Sequence, residues 1–169
     1  QSFPDIVGNI NGNAVLDGEL LVGSKFEALP FNFLQKRLNR KNPSKKLTTE
    51  IPAFVKLYDI LFENGNDLRD LPLSKRKNIL SNWLKLNPSE RLDISEIIDF
   101  KDWNELRQIK IELTEKFNQE GLMIKSKNSM YLSGRPRGPW FKWKKKPLFF
   151  RYCTYVCTTW SWKKKFILF

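Results

Sequence analysis

The feature that most constrains the fold is a branched, apolar run over residues 15–22 (VLDGELLV) that carries two acids inside it. Such a run is typical of a buried strand. Charged side chains are rarely buried unless they are paired or bind a metal ion. Asp17 and Glu19 therefore indicate either a strand edge with outward acids or a functional site, and the pattern alone leaves both open.

Further elements are predicted on both sides of this run. The periodicity and turn residues predict strands over residues 53–62, 121–127 and 140–146, and helices over 31–38, 72–84 and 102–118. The polar segment 40–50 is expected to be an exposed loop. The last helix has apolar residues at spacings of three and four, namely Trp103, Leu106, Ile109, Leu113 and Phe117. This order predicts an α+β fold with antiparallel sheets flanked by helices.

Composition limits the possible functions. The chain has no histidine, which excludes histidine bases, nucleophiles and metal ligands from its own chemistry. Its net charge is +12, and residues 142–169 hold eight of the Lys and Arg residues and no acid, so the other 141 residues carry 22 − 18 = +4. A mildly basic body favours a nucleic-acid or nucleotide partner. No apolar run approaches the roughly 18 residues of a membrane helix, so we expect no membrane partner and a cytoplasmic location.

Three further groups are candidates for chemistry. Glu120 stands directly before Gly121, at the start of a predicted strand. Lys142 and Lys144 alternate with aromatic residues, so period two places both lysines on one face of a strand, where a phosphate would relieve their repulsion. The ring of Tyr58 is able to stack on a base. Taken singly, each has an ordinary explanation: a strand start, a solvated edge and a core aromatic.

Taken together and in order, these groups resemble the motifs of the ATP-dependent DNA ligases, in the covalent nucleotidyltransferase superfamily. Residues 16–19 (LDGE) resemble motif III, 54–61 motif IIIa, 120–125 (EGLMIK) motif IV and 140–144 (WFKWK) motif V. The sequences of residues 33–40 and 131–140 (YLSGRPRGPW) resemble those of the bacterial branch of the family. The resemblance covers residues 3 to about 148 and implies the carboxyl-terminal part of an adenylation domain over residues 1–147.

The resemblance implies a role for each candidate. Glu19 would contact the ribose of the adenylate and help to organise Mg²⁺, and Tyr58, where the family usually has phenylalanine, would stack on adenine. Glu120 would bind the catalytic Mg²⁺. Lys142 and Lys144 would hold the phosphates of ATP and of the adenylate. The partners implied are ATP and nicked duplex DNA, sealed by a monomer through enzyme–AMP and DNA–adenylate intermediates.

Two departures from the family pattern qualify this interpretation. The nucleophilic lysine of motif I (K-x-D-G) does not precede Asp17, so the chain is expected to begin partway through a gene product and to be inactive alone. The alternatives are an RNA ligase or capping-type nucleotidyltransferase, which shares motifs III to V, and an inert basic nucleic-acid-binding module.

The second departure is the segment 148–169, which has eight aromatic residues, four basic residues and no acid. If the possible codons of residues 151–164 are read one nucleotide later, they permit the sequence D-T-V-L-M-Y-A-Q-R-G-H-G-K. This sequence is similar to the strand that opens the family's oligonucleotide-binding-fold domain. We therefore expect an aberrant tail, produced by a frameshift near the lysine run Lys144-Lys145-Lys146. The alternative is a real basic aromatic tail that binds membrane or nucleic acid.

Overall fold

A computed structural model describes residues 2–38, 40–116, 121–134 and 138–144. The chain divides into two compact units, the first comprising Gln1–Glu96 and Lys125–Pro139 and the second Ile97–Ile124 and Trp140–Phe169. No helix in these described ranges has the length and apolar content needed to cross a membrane.

The first unit is a curled sheet with helices packed on it. Its strands are β1 (Ala14–Ser24), β2 (Glu27–Ala28), β3 (Ala53–Glu63), β4 (Asn66–Asp67) and β5 (Leu92–Ile94). Its helices are α1 (Pro4–Val7), α2 (Phe31–Leu38), α3 (Lys45–Glu50) and α4 (Leu73–Leu86). The second unit contains α5 (Trp103–Lys116) and the pairing of β6 (Gly121–Lys125) with β7 (Trp140–Lys144), except that Lys125, the last residue of β6, belongs to the first unit.

The strand order in the first unit is β2-β1-β3-β4, and these neighbours are antiparallel, as predicted. One pairing departs from the expected antiparallel arrangement, since β5 pairs with β3 in parallel. A parallel neighbour needs a crossover, and α4 with its flanking loops supplies it between β4 and β5. The β1–β3 register shifts between Asp17 and Gly18, where a β-bulge changes the direction of the strand.

Two apolar clusters hold the first unit together. The larger lies between β3 and α4 and contains Leu57, Ile60, Leu68, Leu80, Trp83 and Leu92. The smaller lies where α1, α2 and the start of β3 meet and contains Ile6, Val22, Leu34, Ile51 and Ala53. The helix predicted over residues 72–84 is confirmed as α4, where Leu73, Leu80 and Trp83 are buried and Ile79 is half-buried.

The predicted loop over residues 40–50 was partly wrong, because α3 forms there. The side chain of Ser44 caps this helix by accepting a hydrogen bond from the backbone N–H of Leu47, at 3.2 Å. Leu47 also packs against the smaller apolar cluster. The segment has a single leucine among polar residues, so periodicity gave too little signal for a six-residue helix.

In the second unit, α5 confirms the helix predicted over residues 102–118 as far as the structure describes them, but its first residue is not buried as the apolar stripe predicts. Leu106 is buried, but Trp103 is 62% exposed and its ring lies beside that of Phe100, with centroids 6.0 Å apart. Trp103 therefore does not belong to the buried stripe, and Phe117 lies outside the described residues. In β6, Gly121 has φ +140°, and a Cβ there would lie 2.1 Å from the carbonyl oxygen of Trp143 on β7. Glycine thus permits the close approach of these two strands.

Candidate functional site

The carboxylate of Asp17 is the centre of the candidate site. It lies on β1 at the bulge, and each of its two oxygens accepts a hydrogen bond from a tyrosine hydroxyl. Tyr58 on β3 donates to Oδ1 at 2.9 Å, and Tyr131 in the segment after β6 donates to Oδ2 at 2.7 Å. Hydrogen bonds to a charged acceptor are stronger than those between neutral groups. Asp17 therefore joins three separate parts of the chain.

Glu19 and Tyr58, two of the predicted site residues, lie in the same neighbourhood. Burial raises the pKa of Tyr58 far above its ordinary value, and the adjacent Asp17 carboxylate raises it further, through its charge and the hydrogen bond. The charge of Glu19 acts in the same direction. The Tyr58 hydroxyl is thus protonated at neutral pH and remains a donor to Asp17. Both Glu19 and Tyr58 are half-buried.

A buried ion pair lies beneath these groups. Arg76 on α4 and Asp59 on β3 are both fully buried. The guanidinium donates through Nε to Oδ1 at 2.8 Å and through Nη2 to Oδ2 at 3.0 Å, a bidentate pairing. Its Nη1 also donates to the carbonyl oxygens of Leu71 and Ser129. Arg76 therefore fixes β3, α4 and the segment after β6 to one another.

The same segment is held at the start of α4 by backbone hydrogen bonds. The N–H groups of Leu73 and Ser74 donate to the carbonyl oxygens of Ser129 and Lys127, at 2.9 and 3.0 Å. These are donors that the first turn of a helix leaves without intrahelical partners. Two residues farther on, the N–H of Tyr131 donates to the carbonyl oxygen of Arg69, at 2.8 Å. These contacts bring the Tyr131 ring to Asp17.

Two lysines of lowered basicity complete the site. Burial lowers the pKa of Lys125, the last residue of β6, to about 8, against the opposing charges of Asp59 and Asp17. Its Nζ lies 5.0 Å from the centroid of the Tyr58 ring. Burial likewise lowers the pKa of Lys77 on α4 to about 8, and the nearby charge of Lys125 lowers it further. Lys77 donates to the carbonyl oxygen of Ser95, at 3.2 Å.

Lys142 and Lys144 both lie on β7, two residues apart, which agrees with the prediction that they share a strand face. Lys142 is half-buried and Lys144 is exposed. Trp143, which alternates with them, has the Nζ of Lys110 on α5 at 5.0 Å from its ring centroid. The expectation that these lysines face Glu19 and Tyr58 stays a prediction.

The predicted metal site stays a prediction as well. Glu120 lies outside the described residues. Among the residues that the structure does describe, no group of three or more Asp, Glu or Cys side chains is placed to hold a metal ion. Glu19 is the only one of the two predicted metal ligands whose position is described, and it lies on β1 beside the Asp17 bulge.

Asp17, Tyr131, Lys77, Lys125 and the Arg76–Asp59 pair were not assigned roles from the sequence. The sequence pattern marks Asp17 as an acid inside an apolar strand. The resemblance to the family, however, implies the ribose and Mg²⁺ contacts for Glu19 of the same short motif. Two of these residues could have been found from the sequence. Lys125 lies in the segment that resembles motif IV, and Tyr131 lies in the family-like segment before motif V. Arg76 and Lys77 lie in a stretch, residues 72–77, that resembles the family's sequence after motif IIIa, but the resemblance implied no role for them. A cation that is buried by tertiary contacts leaves no mark on a helical pattern.

Comparison with known families identifies the chain. The model of the family described as ATP dependent DNA ligase domain matches residues 3–144, which is most of the sequence and contains all four motif-like segments. The chain belongs to this ligase family.

Curated relatives agree with this assignment. The ligase chain is 31% identical over 146 residues to the DNA ligase of Archaeoglobus fulgidus, covering 84% of this chain and 26% of that protein. It is 29% identical over 169 residues to a probable DNA ligase of Koribacter versatilis, covering 86% of this chain and 29% of that protein. The chain thus spans little more than a quarter of the length of these relatives. Because they include archaeal proteins, they do not single out the bacterial branch.

Solved ligase structures share the fold. The ligase domain from M. tuberculosis LigD superposes with a TM-score of 0.57 at 21% identity, over 78% of this chain and 38% of that one. A Lig E DNA ligase, studied for DNA binding with a minimal scaffold, gives a TM-score of 0.59 at 23% identity, over 78% and 46%. The predicted α+β adenylation fold is therefore confirmed.

Proposed function

We propose that this ligase chain is the part of an adenylation domain that carries motifs III to V, and that the longer parent protein seals nicks in duplex DNA. The observation that carries the proposal is the family match over residues 3–144, with the four motifs in order inside it. The parent would form enzyme–AMP, transfer AMP to the 5′-phosphate, and release it when the 3′-hydroxyl attacks. A cytoplasmic monomer suits this activity.

The adenosine of ATP would be held by Tyr58 and Glu19. The ring of Tyr58 offers an aromatic face for adenine, and its hydroxyl is anchored on Asp17, which restricts rotation of the ring. Glu19 is near enough to Tyr58 for its charge to affect the tyrosine, so one nucleoside could contact both. The Lys125 ammonium lies over the same ring, so a stacked base would compete with it unless the base used the opposite face.

The phosphates would be held by Lys142 and Lys144, and Mg²⁺ by Glu19 and Glu120. Two ammonium groups on one strand face suit a phosphate chain. Magnesium is usually bound through one or two carboxylates together with substrate phosphates and waters, so two glutamates are a sufficient protein contribution. When bound, the ion would neutralise charge on the phosphates. The attacking lysine of motif I would come from the parent sequence.

One assay separates this proposal from its alternatives. The longer protein is incubated with ATP labelled at the α-phosphate, and then with a nicked DNA duplex. A DNA ligase takes up the label, transfers it to the DNA and seals the nick. An RNA ligase or capping-type enzyme takes up the label but leaves the DNA nick open. An inert nucleic-acid-binding module takes up no label, and that outcome would refute the proposal.

We also propose that residues 148–169 are an aberrant tail, formed by a frameshift at the start of an oligonucleotide-binding-fold domain. These residues lie outside the described part of the chain. Two observations support the proposal: the tail is aromatic and basic and has no acid, and its codons read one nucleotide later permit a sequence similar to the family's. Resequencing the locus tests it, because an unbroken adenine run in the present frame would refute the frameshift.

A further inference from the structure

The connection between β1 and β3 is rich in positive charge. Residues 28–49 contain six Lys or Arg residues and no acid, so this stretch alone carries +6 of the net +12. Five of the six side chains are exposed: Lys36, Arg40, Lys41, Lys45 and Lys46. We refer to these five residues, on α2, α3 and the segment between them, as the α2–α3 basic patch.

The sixth cation, Arg37, explains how the patch is held in place. Arg37 is fully buried, and its guanidinium forms a bidentate pair with Asp5, at 2.8 and 2.6 Å. It also donates to the carbonyl oxygens of Ser2 and Ile51. This anchor fixes one face of α2 against α1 and the start of β3. The α2 cation beside it, Lys36, is exposed, with its Nζ over the Phe33 ring.

The patch has little internal charge compensation. Lys46 lies 3.9 Å from Glu50, but both side chains are more than half exposed, at 83% and 58%. Such surface pairs contribute little. Among the described residues, no ion pair involves Arg40, Lys41 or Lys45. Several like charges on two short neighbouring helices repel one another, and a polyanion relieves that repulsion while releasing its own counterions.

A neighbouring cleft is a weaker candidate for an anion site. The cleft of about 480 Å³ is lined by Lys25 and Arg91 but also by Asp5 and Glu90, so its charges balance. The hydroxyls of Thr48 and Thr49, which also line it, already donate to the carbonyl oxygen of Lys45. The excess of positive charge therefore lies on the outer surface of α2 and α3.

We propose that the α2–α3 basic patch binds the phosphate backbone of duplex DNA without reading base sequence. The choice of DNA as the polyanion rests on the proposed function. Lys and Arg side chains that neutralise phosphates give an affinity that falls with salt, with a slope in log–log form of about −0.9 for each phosphate contact. The patch supplies at most five such contacts.

The test measures binding of the 169-residue chain to an intact, unnicked duplex without ATP, by fluorescence anisotropy at several salt concentrations. One variant replaces Arg40, Lys41, Lys45 and Lys46 with glutamine. The control variant replaces four other exposed lysines with glutamine and thus has the same net charge, namely Lys75, Lys85, Lys101 and Lys127. The slope of log K against the logarithm of the salt concentration should become less steep by about 2 to 4 in the patch variant, and by less than about 1 in the control variant.

A third variant, with Lys41, Lys45 and Lys46 all changed to arginine, should keep the wild-type slope, because it keeps the charges. Circular dichroism checks that the variants keep their helices. Equal losses in the patch and control variants would overturn the proposal, and so would a wild-type chain that fails to bind duplex DNA in low salt. Because the assay uses neither ATP nor a nick, its failure leaves the ligase proposal intact, and failure of nick sealing leaves the salt slopes unchanged.

Discussion

The hydroxyl of Tyr131 donates to Oδ2 of Asp17 at 2.7 Å, and this hydrogen bond joins two residues that are 114 positions apart in the sequence. Tyr58 donates to the other oxygen of the same carboxylate. The segment before motif V, the strand of motif IIIa and the strand of motif III therefore meet at one charged group. An acid in this position serves the architecture of the site as well as its electrostatics.

Removing one hydroxyl from this cluster should destabilise the protein. We expect Tyr131→Phe to lower the free energy of unfolding by about 1–3 kcal/mol, since it deletes a hydrogen bond to a charged acceptor that is partly buried. Urea denaturation measures the change. Tyr58→Phe should act similarly. The double variant should differ from the sum of the two single variants, because the hydroxyls share one acceptor. Wild-type stability in Tyr131→Phe would contradict this account of the cluster.

Breaking the buried ion pair should have a larger effect. Arg76→Met leaves the Asp59 carboxylate buried without its bidentate partner, and such a loss costs about 3–5 kcal/mol. The matched control is Arg69→Met, because Arg69 forms a similar bidentate contact with Asp67, but on the surface. The control variant should unfold at the same urea concentration as the wild type. Equal behaviour of the two variants would show that burial does not matter.

Stability should rise as the pH increases from about 8 towards 10. The pKa values of Lys77 and Lys125 are about 8 in the folded protein, below the ordinary value of about 10.4 in the unfolded chain. The unfolded chain therefore binds more protons in this interval, and the free energy of unfolding increases with pH. Below pH 8 both lysines are charged in the folded state, so the cost of burying their charges is fully present.

The tyrosines set the upper limit of this rise. Their folded pKa values are raised above 10, so the stability that Tyr58 and Tyr131 contribute is present below pH 10 and is lost at higher pH. Urea denaturation at each pH should therefore give a maximum near pH 10. In Lys77→Met the rise between pH 8 and 10 should be smaller. An unchanged rise in that variant would show that Lys77 is not responsible.

The glycine of motif III should resist substitution. A Cβ on Gly18 would lie 2.7 Å from Cγ1 of Val55 and 2.9 Å from the carbonyl oxygen of Lys56. We expect Gly18→Ala to lower the free energy of unfolding by about 1–3 kcal/mol, as overpacking does. Gly8→Ala is the control, because Gly8 has a helical φ of −76° and room for a Cβ. Thermal unfolding should show a lower midpoint for Gly18→Ala alone, and equal midpoints would contradict the close contact.

Local patterns predicted the main strands and helices, because their signal lies in neighbouring residues. The branched run around Asp17 became β1, and the leucines and tryptophan of α4 face the core. The turn at Asn64-Gly65 has positive φ at both residues, as its composition indicates. Two-residue strands such as β2 and β4 were missed, since they form only through pairing with β1 and β3.

The site was predictable only where a motif carried it. Glu19 and Tyr58 were assigned from the resemblance to the family. The structure places Glu19 near enough for its charge to act on Tyr58, and the roles of both residues stay predictions. The role of Asp17 as a shared acceptor depends on Tyr131, and no periodicity relates residues separated by so much sequence. The burial of Lys77 arises from its contact with Ser95, 18 positions away, and that of Arg76 from its contacts with Asp59 and Ser129, 17 and 53 positions away. Tertiary contacts of this kind leave no local signature.

Nick sealing by a Glu120→Ala variant of the longer parent protein tests most directly the proposal that this chain supplies catalytic groups to a DNA ligase. Glu115→Ala is the matched control, because Glu115 is an exposed acid near the end of α5. We expect Glu120→Ala to reduce sealing about a hundredfold or more, as the loss of one preorganised electrostatic contact does, and Glu115→Ala to seal normally. Near wild-type sealing by Glu120→Ala would contradict the account.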